Sequence, residues 1–203
     1  HPRELAYCIG TGRPVALLTS AALSPSAQAM ADLGASWGHT VCFDTDGAPE
    51  HAIDYESLLA GADPAPPTVA VSADDIHNVL YTSGTTGRPK GAMISQGAAA
   101  VRGLRLAQWF GLTPQDGFIG WLPMFHCGGD ESLYATMTTG GTCGTLRRAD
   151  AETMFRMIER DKLSWTLLLP GVITDFLNHP RRSDYDLSSF RFAIGYANMM
   201  PAV

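Results

Sequence analysis

The sequence predicts an α/β fold built on an open, doubly wound, mostly parallel sheet with flanking helices. Short apolar runs alternate with amphipathic stretches, which is the pattern of βα units. Helix start and stop residues separate the two kinds of segment. The chain of 203 residues is 45% hydrophobic and 17% charged, so it has enough apolar side chains for a sizeable core. In such folds, ligands bind beyond the carboxyl ends of the strands.

The first part of the chain reads as two strands and two helices, followed by a loop. In chain order, the predicted elements are a strand at 15–19, a helix at 24–33, a strand at 40–43 and a short helix at 55–60. Ser24 is the expected N-cap of the first helix, Pro25 suits its first position, and Gly34 ends it. The sequence GADPAPP at 61–67 excludes regular structure, so this loop is a possible subdomain break.

The remainder of the chain continues the alternation. Strands are predicted at 76–82, 92–94, 165–169 and 190–194, and helices at 96–110, 150–162 and 172–178, while 118–122 is a buried apolar run. Ser95 is the expected N-cap of the Ala-rich helix at 96–110, Gly111 ends this helix, and Asp150 opens the next one. Pro170 ends the strand before it. The Gly/Thr-rich stretch at 138–145 is assigned neither helix nor strand.

Charge and cysteine usage exclude several functions. A net charge of −6 and a pI near 5.4 argue against a nucleic-acid surface, which needs a basic stripe. The four cysteines are far apart and form no CxxC or zinc-type pattern; they are Cys8, Cys42, Cys127 and Cys143. We therefore expect reduced thiols and a cytoplasmic protein. No apolar run is long enough to span a bilayer, and no signal-peptide layout is seen.

Scattered acidic residues are interpreted as solvated surface rather than as metal ligands. The residues considered are Asp44, Asp46, Asp54, Asp130 and Glu131. None of them belongs to an HxxE, DxDxDG or paired-carboxylate pattern, so no resident metal site is predicted.

The segment Thr82–Gly91 carries the chemistry. It contains four hydroxyl side chains, three glycines and Lys90 within ten residues, between two predicted strands. Glycines let backbone amides approach a polyphosphate, hydroxyls donate to phosphate oxygens, and a lysine adds a positive charge. A Walker A loop is excluded because Lys90 is followed by Gly91 rather than by Ser or Thr. The alternative is an ordinary flexible Gly/Ser/Thr hairpin connection.

This segment resembles the (S/T)SG(S/T)TGxPKG signature of the adenylate-forming superfamily, and it matches at all ten positions. The superfamily comprises acyl-CoA synthetases, luciferases and peptide-synthetase adenylation domains. The resemblance implies that the loop closes over the β- and γ-phosphates of ATP with Mg²⁺. It assigns phosphate binding to Thr82, Ser83, Gly84, Thr85, Thr86, Gly87 and Lys90. Among these residues, Thr86 and Lys90 are the expected catalytic residues.

Two further segments are similar to the same family. Trp121–Gly129 resembles its xPxFHxxG segment, in which the histidine lines the carboxylate pocket, so His126 is the expected substrate-binding residue. The alternative for His126 is an ordinary core histidine. The stretch 186–197 resembles the strand leading to the adenine pocket, which assigns Gly195, Tyr196 and Ala197 to the adenine side. Many relatives carry GGAP-like residues there, whereas this chain has Gly-Tyr-Ala-Asn.

The resemblance implies a ligase that converts a carboxylic acid, fatty by expectation, to an acyl-adenylate with ATP and Mg²⁺, and then to a thioester with CoA. A fatty acyl-AMP ligase, another adenylating relative and an inactive nucleotide-binding fragment remain alternatives. The chain starts at His1 without Met and resembles only part of the family's large N-terminal domain. We therefore expect a fragment that lacks the small C-terminal domain, is inactive alone and self-associates.

Overall fold

The computed structural model describes residues 1–44, 46–82 and 87–195. The chain divides into two compact units. One comprises His1–Val71 and Tyr81–Met93, and the other comprises Ser72–Leu80 and Ile94–Val203. The parallel sheets and flanking helices described below confirm the predicted α/β class.

The first unit contains a small parallel sheet and three helices. Its elements are α1 (Pro2–Gly12), β1 (Ala16–Thr19), α2 (Ser24–Asp32), β2 (His39–Cys42), β3 (Ile53–Asp54) and α3 (Tyr55–Ala60). The strands pair in the order β1-β2-β3, with Ala16 opposite His39. The two predicted strands and two predicted helices are therefore present. β3 is too short to have a sequence pattern of its own.

Helix α1 was not predicted, although its ends follow simple rules. His1 caps it, because the His1 Nδ1 atom accepts the Arg3 N–H at 3.4 Å, and Pro2 occupies the first turn. Arg13 ends the helix in the left-handed region at φ 46°. The predicted capping role of Ser24 is wrong. Ser24 is the first residue of α2, and its hydroxyl donates a hydrogen bond to the Ser20 carbonyl instead of capping the helix.

Strands β4 (Ile76–Thr82) and β5 (Lys90–Ser95) form a separate two-stranded sheet. Both were predicted from their apolar content. The Ser95 hydroxyl accepts the Ala98 N–H at 3.2 Å, which confirms the predicted N-cap of the following helix.

The second unit is built on a four-stranded parallel sheet in the order β7-β6-β8-β9. Its strands are β6 (Gly117–Gly120), β7 (Thr142–Thr145), β8 (Trp165–Leu167) and β9 (Phe192–Ile194). Its helices are α4 (Gln96–Phe110), α5 (Cys127–Thr138), α6 (Ala151–Asp161) and α7 (Pro170–Asn178). After β6, the chain moves to β7 on one side and then to β8 on the other. The crevice between β6 and β8 is therefore a topological switch point.

Apolar side chains cover both faces of this sheet. Phe118 and Trp165 pack with Leu106 of α4 and Ala135 of α5, whereas Ile119 packs with the apolar faces of α6 and α7. Adjacent strand residues point to opposite faces, so Phe118 and Ile119 serve two different cores. This arrangement confirms the doubly wound architecture.

Helix α5 and strand β7 were missed by the sequence analysis for a physical reason. The buried face of α5 consists of small and polar residues, namely Gly128, Gly129, Asp130, Ser132, Ala135 and Thr136. Such a face has no apolar periodicity to detect. The β7 sequence, Thr-Cys-Gly-Thr, is equally small and polar. Asp130 is only 8% exposed, so its interpretation as solvated surface is wrong.

A buried carboxylate joins the amino ends of three strands. Asp116, just before β6, accepts hydrogen bonds from the Thr113 N–H at 2.9 Å and the Thr113 hydroxyl at 3.0 Å. The Ser164 hydroxyl, just before β8, donates to the other carboxylate oxygen at 2.6 Å. Arg191, just before β9, completes the set with an ion pair.

Burial opposes ionisation of Asp116. The bonds from Ser164, Arg191 and Thr113 outweigh this effect and hold the pKa of Asp116 below its ordinary value.

Candidate functional site

The phosphate-loop candidate lies between β4 and β5. The residues that flank it are described, whereas Ser83, Gly84, Thr85 and Thr86 lie outside the described residues. The Thr82 hydroxyl, at the end of β4, donates to the Lys90 carbonyl at 3.5 Å across the base of the loop. Gly87 has φ +83°, a conformation that disfavours any side chain.

Lys90 opens β5 with an exposed side chain. It forms no ion pair with any residue in the part of the chain that the structure describes. Its ammonium group is therefore available to an anion, as the proposed phosphate contact requires.

Helix α1 holds both flanks of this loop. On the β4 side, the Tyr81 hydroxyl donates to the Cys8 carbonyl at 3.0 Å and lies 2.7 Å from the Thr11 hydroxyl. On the β5 side, the Arg88 guanidinium lies 5.7 Å from the centre of the Tyr7 ring, within cation–π range. These contacts link residues about 70 to 80 positions apart, and the sequence analysis missed them. The one available signal was a tyrosine next to the last residue of β4.

His126 is the N-cap of α5. Its Nδ1 atom accepts the Gly128 N–H at 3.0 Å, and the side chain is exposed to solvent. The interpretation of His126 as a core histidine is therefore wrong. Because Nδ1 accepts a hydrogen bond, a neutral imidazole carries its proton on Nε2. This N–H has no partner among the described residues, and such a group can donate to a carboxylate.

The segment that carries His126 is fixed at two points. The Trp121 indole N–H donates to the Leu167 carbonyl at 2.6 Å, which ties the segment to the end of β8. At the other end, a Cβ atom on Gly129 would lie 2.6 Å from the Pro123 carbonyl oxygen, so only glycine permits this close approach. Phe125, between these points, is 80% exposed. The segment thus presents an exposed apolar side chain at the position before His126.

The sheet brings two of the predicted site segments to one edge. His126 follows the carboxyl end of β6, at the switch point, and Gly195 follows the carboxyl end of β9. The carboxyl ends of parallel strands lie at the same edge, which is where ligands bind in this class of fold. Tyr196 and Ala197 lie outside the described residues.

The described residues contain neither a cluster of metal-binding side chains nor a membrane-spanning helix. Among residues 1–44, 46–82 and 87–195, no three His, Cys, Asp or Glu side chains are grouped so that they could hold a metal ion. Likewise, no helix in these ranges is long and apolar enough to cross a membrane.

The fold defines an α/β protein with parallel sheets, and comparison with known proteins identifies its family. The whole chain, residues 1–203, matches the family of AMP-binding enzymes, to which it belongs. It is 33% identical over 158 residues to an indoleacetate–CoA ligase of Aromatoleum aromaticum, a match that covers 77% of this chain and 31% of that protein.

A second relative and a solved structure extend this result. The chain is 31% identical over 141 residues to the medium/long-chain-fatty-acid–CoA ligase FadD8 of Mycobacterium tuberculosis, covering 68% of this chain and 24% of that protein. It superposes on ATP-bound MatB of Rhodopseudomonas palustris with a TM-score of 0.75 and 28% identity, over 96% of this chain and 37% of that one. The chain therefore spans a third or less of the length of these two curated relatives.

Proposed function

We propose that this chain supplies the ATP phosphate-binding part of an acid–CoA ligase. The enzyme would activate a carboxylic acid as an acyl-adenylate and transfer the acyl group to CoA. The observation that carries the proposal is the Thr82–Gly91 segment. It matches the superfamily signature at every position. At its base, Gly87 has a positive φ, and Lys90 is exposed and forms no ion pair with the described residues.

The first half-reaction joins the acid to AMP. A carboxylate oxygen attacks the α-phosphate, a new O–P bond forms, and the bond to the β-phosphate breaks to release pyrophosphate. No protein nucleophile is needed, so catalysis depends on alignment and charge stabilisation. Lys90 would offset the phosphate charge, while Thr86 and the other hydroxyls would orient the leaving pyrophosphate. Mg²⁺ prefers oxygen ligands and commonly binds substrate phosphates, so it would neutralise part of the phosphate charge.

The second half-reaction transfers the acyl group. The thiol of CoA loses its proton, its sulfur attacks the acyl carbonyl, and AMP leaves. His126 is proposed to line the acid pocket, because its exposed Nε2–H suits a carboxylate. Gly195, with Tyr196 and Ala197 after it, is proposed on the adenine side.

The acid is proposed to be apolar. The exposed Phe125 beside His126 supports this class of substrate. A fatty acid is our proposal, since FadD8 is named for such substrates. An aromatic acid is the alternative proposal, since the other relative is named as an indoleacetate–CoA ligase.

We also propose that the complete reaction takes place in a longer enzyme that contains this chain. The support is the share of the relatives that the chain spans, 31% and 24%. The 203-residue chain alone is expected to give no ligase turnover and to self-associate. Turnover by the purified chain would contradict the first expectation, and a stable monomer in size-exclusion chromatography with light scattering would contradict the second.

The deciding experiment is pyrophosphate release by the full-length enzyme with a panel of fatty and aromatic acids, with and without CoA. Acid-dependent pyrophosphate release followed by acyl-CoA formation supports the proposal. Adenylate that accumulates and is never passed to CoA would indicate an acyl-AMP ligase. No acid-dependent release with any acid would refute the adenylating function.

A further inference from the structure

A polar cluster joins β4 to α5 inside the second unit. The Asn78 amide donates to the Asp130 carboxylate at 2.6 Å and to the Tyr134 hydroxyl at 3.1 Å. The Tyr134 hydroxyl also lies 2.7 Å from Nε2 of His77. We call Asn78, Asp130 and Tyr134 the β4–α5 clamp. Asn78 is 52 residues from Asp130 and 56 residues from Tyr134 in sequence, so the clamp is a tertiary contact and not a local turn.

The charge in this clamp is buried. Asp130 is 8% exposed, and Asn78 and Tyr134 are partly buried. Burial and the adjacent Asp130 carboxylate raise the pKa of Tyr134 above its ordinary value, so the phenol stays protonated. A hydrogen bond to a charged acceptor is stronger than a neutral one, especially away from water. The Asn78–Asp130 bond is therefore the strong member of the clamp.

The Asn78 side chain does not have all of its polar atoms hydrogen-bonded. Its Oδ1 atom is buried and has no partner among the described residues. Burying an unpaired amide oxygen is unfavourable, and an apolar residue at this position would avoid it. Among the described residues, the burial of this amide is offset by its bonds to Asp130 and Tyr134.

Of the two elements, α5 is the fixed one. Its Ala135 and Thr136 side chains are fully buried, and Ala135 packs against the sheet and α4. By contrast, β4 is an edge of a two-stranded sheet, and its Ile76 and Val79 are 50% and 40% exposed. Two-stranded sheets have little stability of their own. Loosening the clamp should therefore displace β4 rather than α5.

We propose that Asn78 and Asp130 are positioning residues that hold β4 on α5 and thereby fix where the chain enters the ATP phosphate loop. Thr82, the first residue of the loop, comes four positions after Asn78 in the same strand. His126 is the N-cap of α5, the element that we expect to stay in place when the clamp is loosened. This inference rests on the proposed function for its kinetic consequence, but not for its structural one.

The structural consequence is tested by hydrogen exchange in the full-length enzyme. Asn78→Ala should speed amide exchange in residues 76–80 by about tenfold, the loss expected for a charge-assisted hydrogen bond. Glu131→Gln is the matched control, because this carboxylate lies on the same turn of α5 but pairs with Arg102 of α4. It should leave exchange in β4 unchanged. Equal effects in the two variants, or no effect of Asn78→Ala, would overturn the clamp.

The kinetic consequence separates positioning from simple stabilisation. Asn78→Ala and Asp130→Ala should each raise the KM for ATP by about fivefold or more and lower kcat, while the KM for the acid changes by less than about twofold. The double variant should be no worse than the poorer single one, because both remove the same contact. If Asp130→Ala does not fold, Tyr134→Phe gives a milder test in the same direction.

The outcomes keep the two proposals apart. A wild-type enzyme without acid-dependent pyrophosphate release refutes the proposed function, and hydrogen exchange still decides whether the clamp exists. Faster exchange in β4 with an unchanged KM for ATP would overturn the positioning role. Faster exchange together with a raised KM for ATP, absent in Glu131→Gln, supports it.

Discussion

Replacing Asp116 with alanine should lower the free energy of unfolding by about 3 kcal/mol. The carboxylate accepts four contacts, from the N–H and hydroxyl of Thr113, the Ser164 hydroxyl and the Arg191 guanidinium. Hydrogen bonds to a charged group contribute roughly 1.5 to 3 kcal/mol each, but their losses are not additive. The Arg191 side chain is 47% exposed, so water can replace its partner and this pair contributes little.

The assay is urea unfolding followed by tryptophan fluorescence, since the buried Trp165 reports on the same sheet. Asp184→Ala is the control, because this carboxylate is 51% exposed and its loss should change stability by less than about 0.5 kcal/mol. A loss below about 1 kcal/mol for Asp116→Ala, or an equal loss in the control, would refute the assigned role of the buried carboxylate.

The same pair of proteins has a predicted pH dependence. The folded state lowers the pKa of Asp116, so its stabilisation is fully present above the unfolded-state pKa of about 3.9. The stabilisation is lost as the pH falls through the folded-state pKa. The stability difference between wild type and Asp116→Ala should therefore narrow below about pH 4. A difference that is the same at pH 7 and pH 3 would show that the ionised carboxylate is not what stabilises the junction.

Three further predictions concern the candidate site in the full-length enzyme. Lys90→Gln should raise the activation barrier for pyrophosphate release by about 2 to 4 kcal/mol. Lys162→Gln is the control and should leave the rate unchanged, because this lysine pairs with Asp186. Equal rates in the two variants would remove Lys90 from the phosphate site. His126→Ala should change the KM or preference for the acid more than the KM for ATP, with a stability loss of about 1 kcal/mol from the missing cap; unchanged acid kinetics would contradict the pocket role. Gly129→Ala should destabilise the protein by about 1 to 3 kcal/mol in a thermal melt, because its Cβ would meet the Pro123 carbonyl; an unchanged melting temperature would contradict this close approach.

The sequence was sufficient for most of the fold because the relevant signals are local. Ser95 before an Ala-rich run and Gly111 after it mark α4, and both ends appear as predicted. Strands β1, β2, β4 and β5 contain the apolar runs from which they were predicted, and the buried run at 118–122 contains most of β6. Prediction failed for α5 and β7, because close packing there requires small residues. Gly103 shows this requirement: a Cβ atom on it would lie 2.9 Å from the Thr138 hydroxyl, so α4 and α5 approach too closely for larger side chains.

The candidate site, like the fold, could be predicted only in part from the sequence. The phosphate-loop signature is contiguous, so residues 82–91 could be recognised from their order alone. The contacts that support it are not contiguous. Tyr81 reaches Cys8 across 73 positions, and Asn78 reaches Asp130 across 52. A single sequence contains no signal that pairs such residues, because the pairing is a property of the folded topology.

Asp116 and Asp130 explain why polarity alone misleads in this protein. Both residues lie at the ends of core elements, where backbone N–H groups and strand termini need polar partners. In each case, burial of the carboxylate is offset by donors from distant segments, Ser164 and Arg191 for Asp116 and Asn78 for Asp130. Burying an unpaired carboxylate at such a junction is unfavourable, whereas a paired carboxylate favours one arrangement of the elements that meet there. The two buried carboxylates therefore fix how neighbouring elements meet, one at the amino end of the sheet and the other where β4 meets α5.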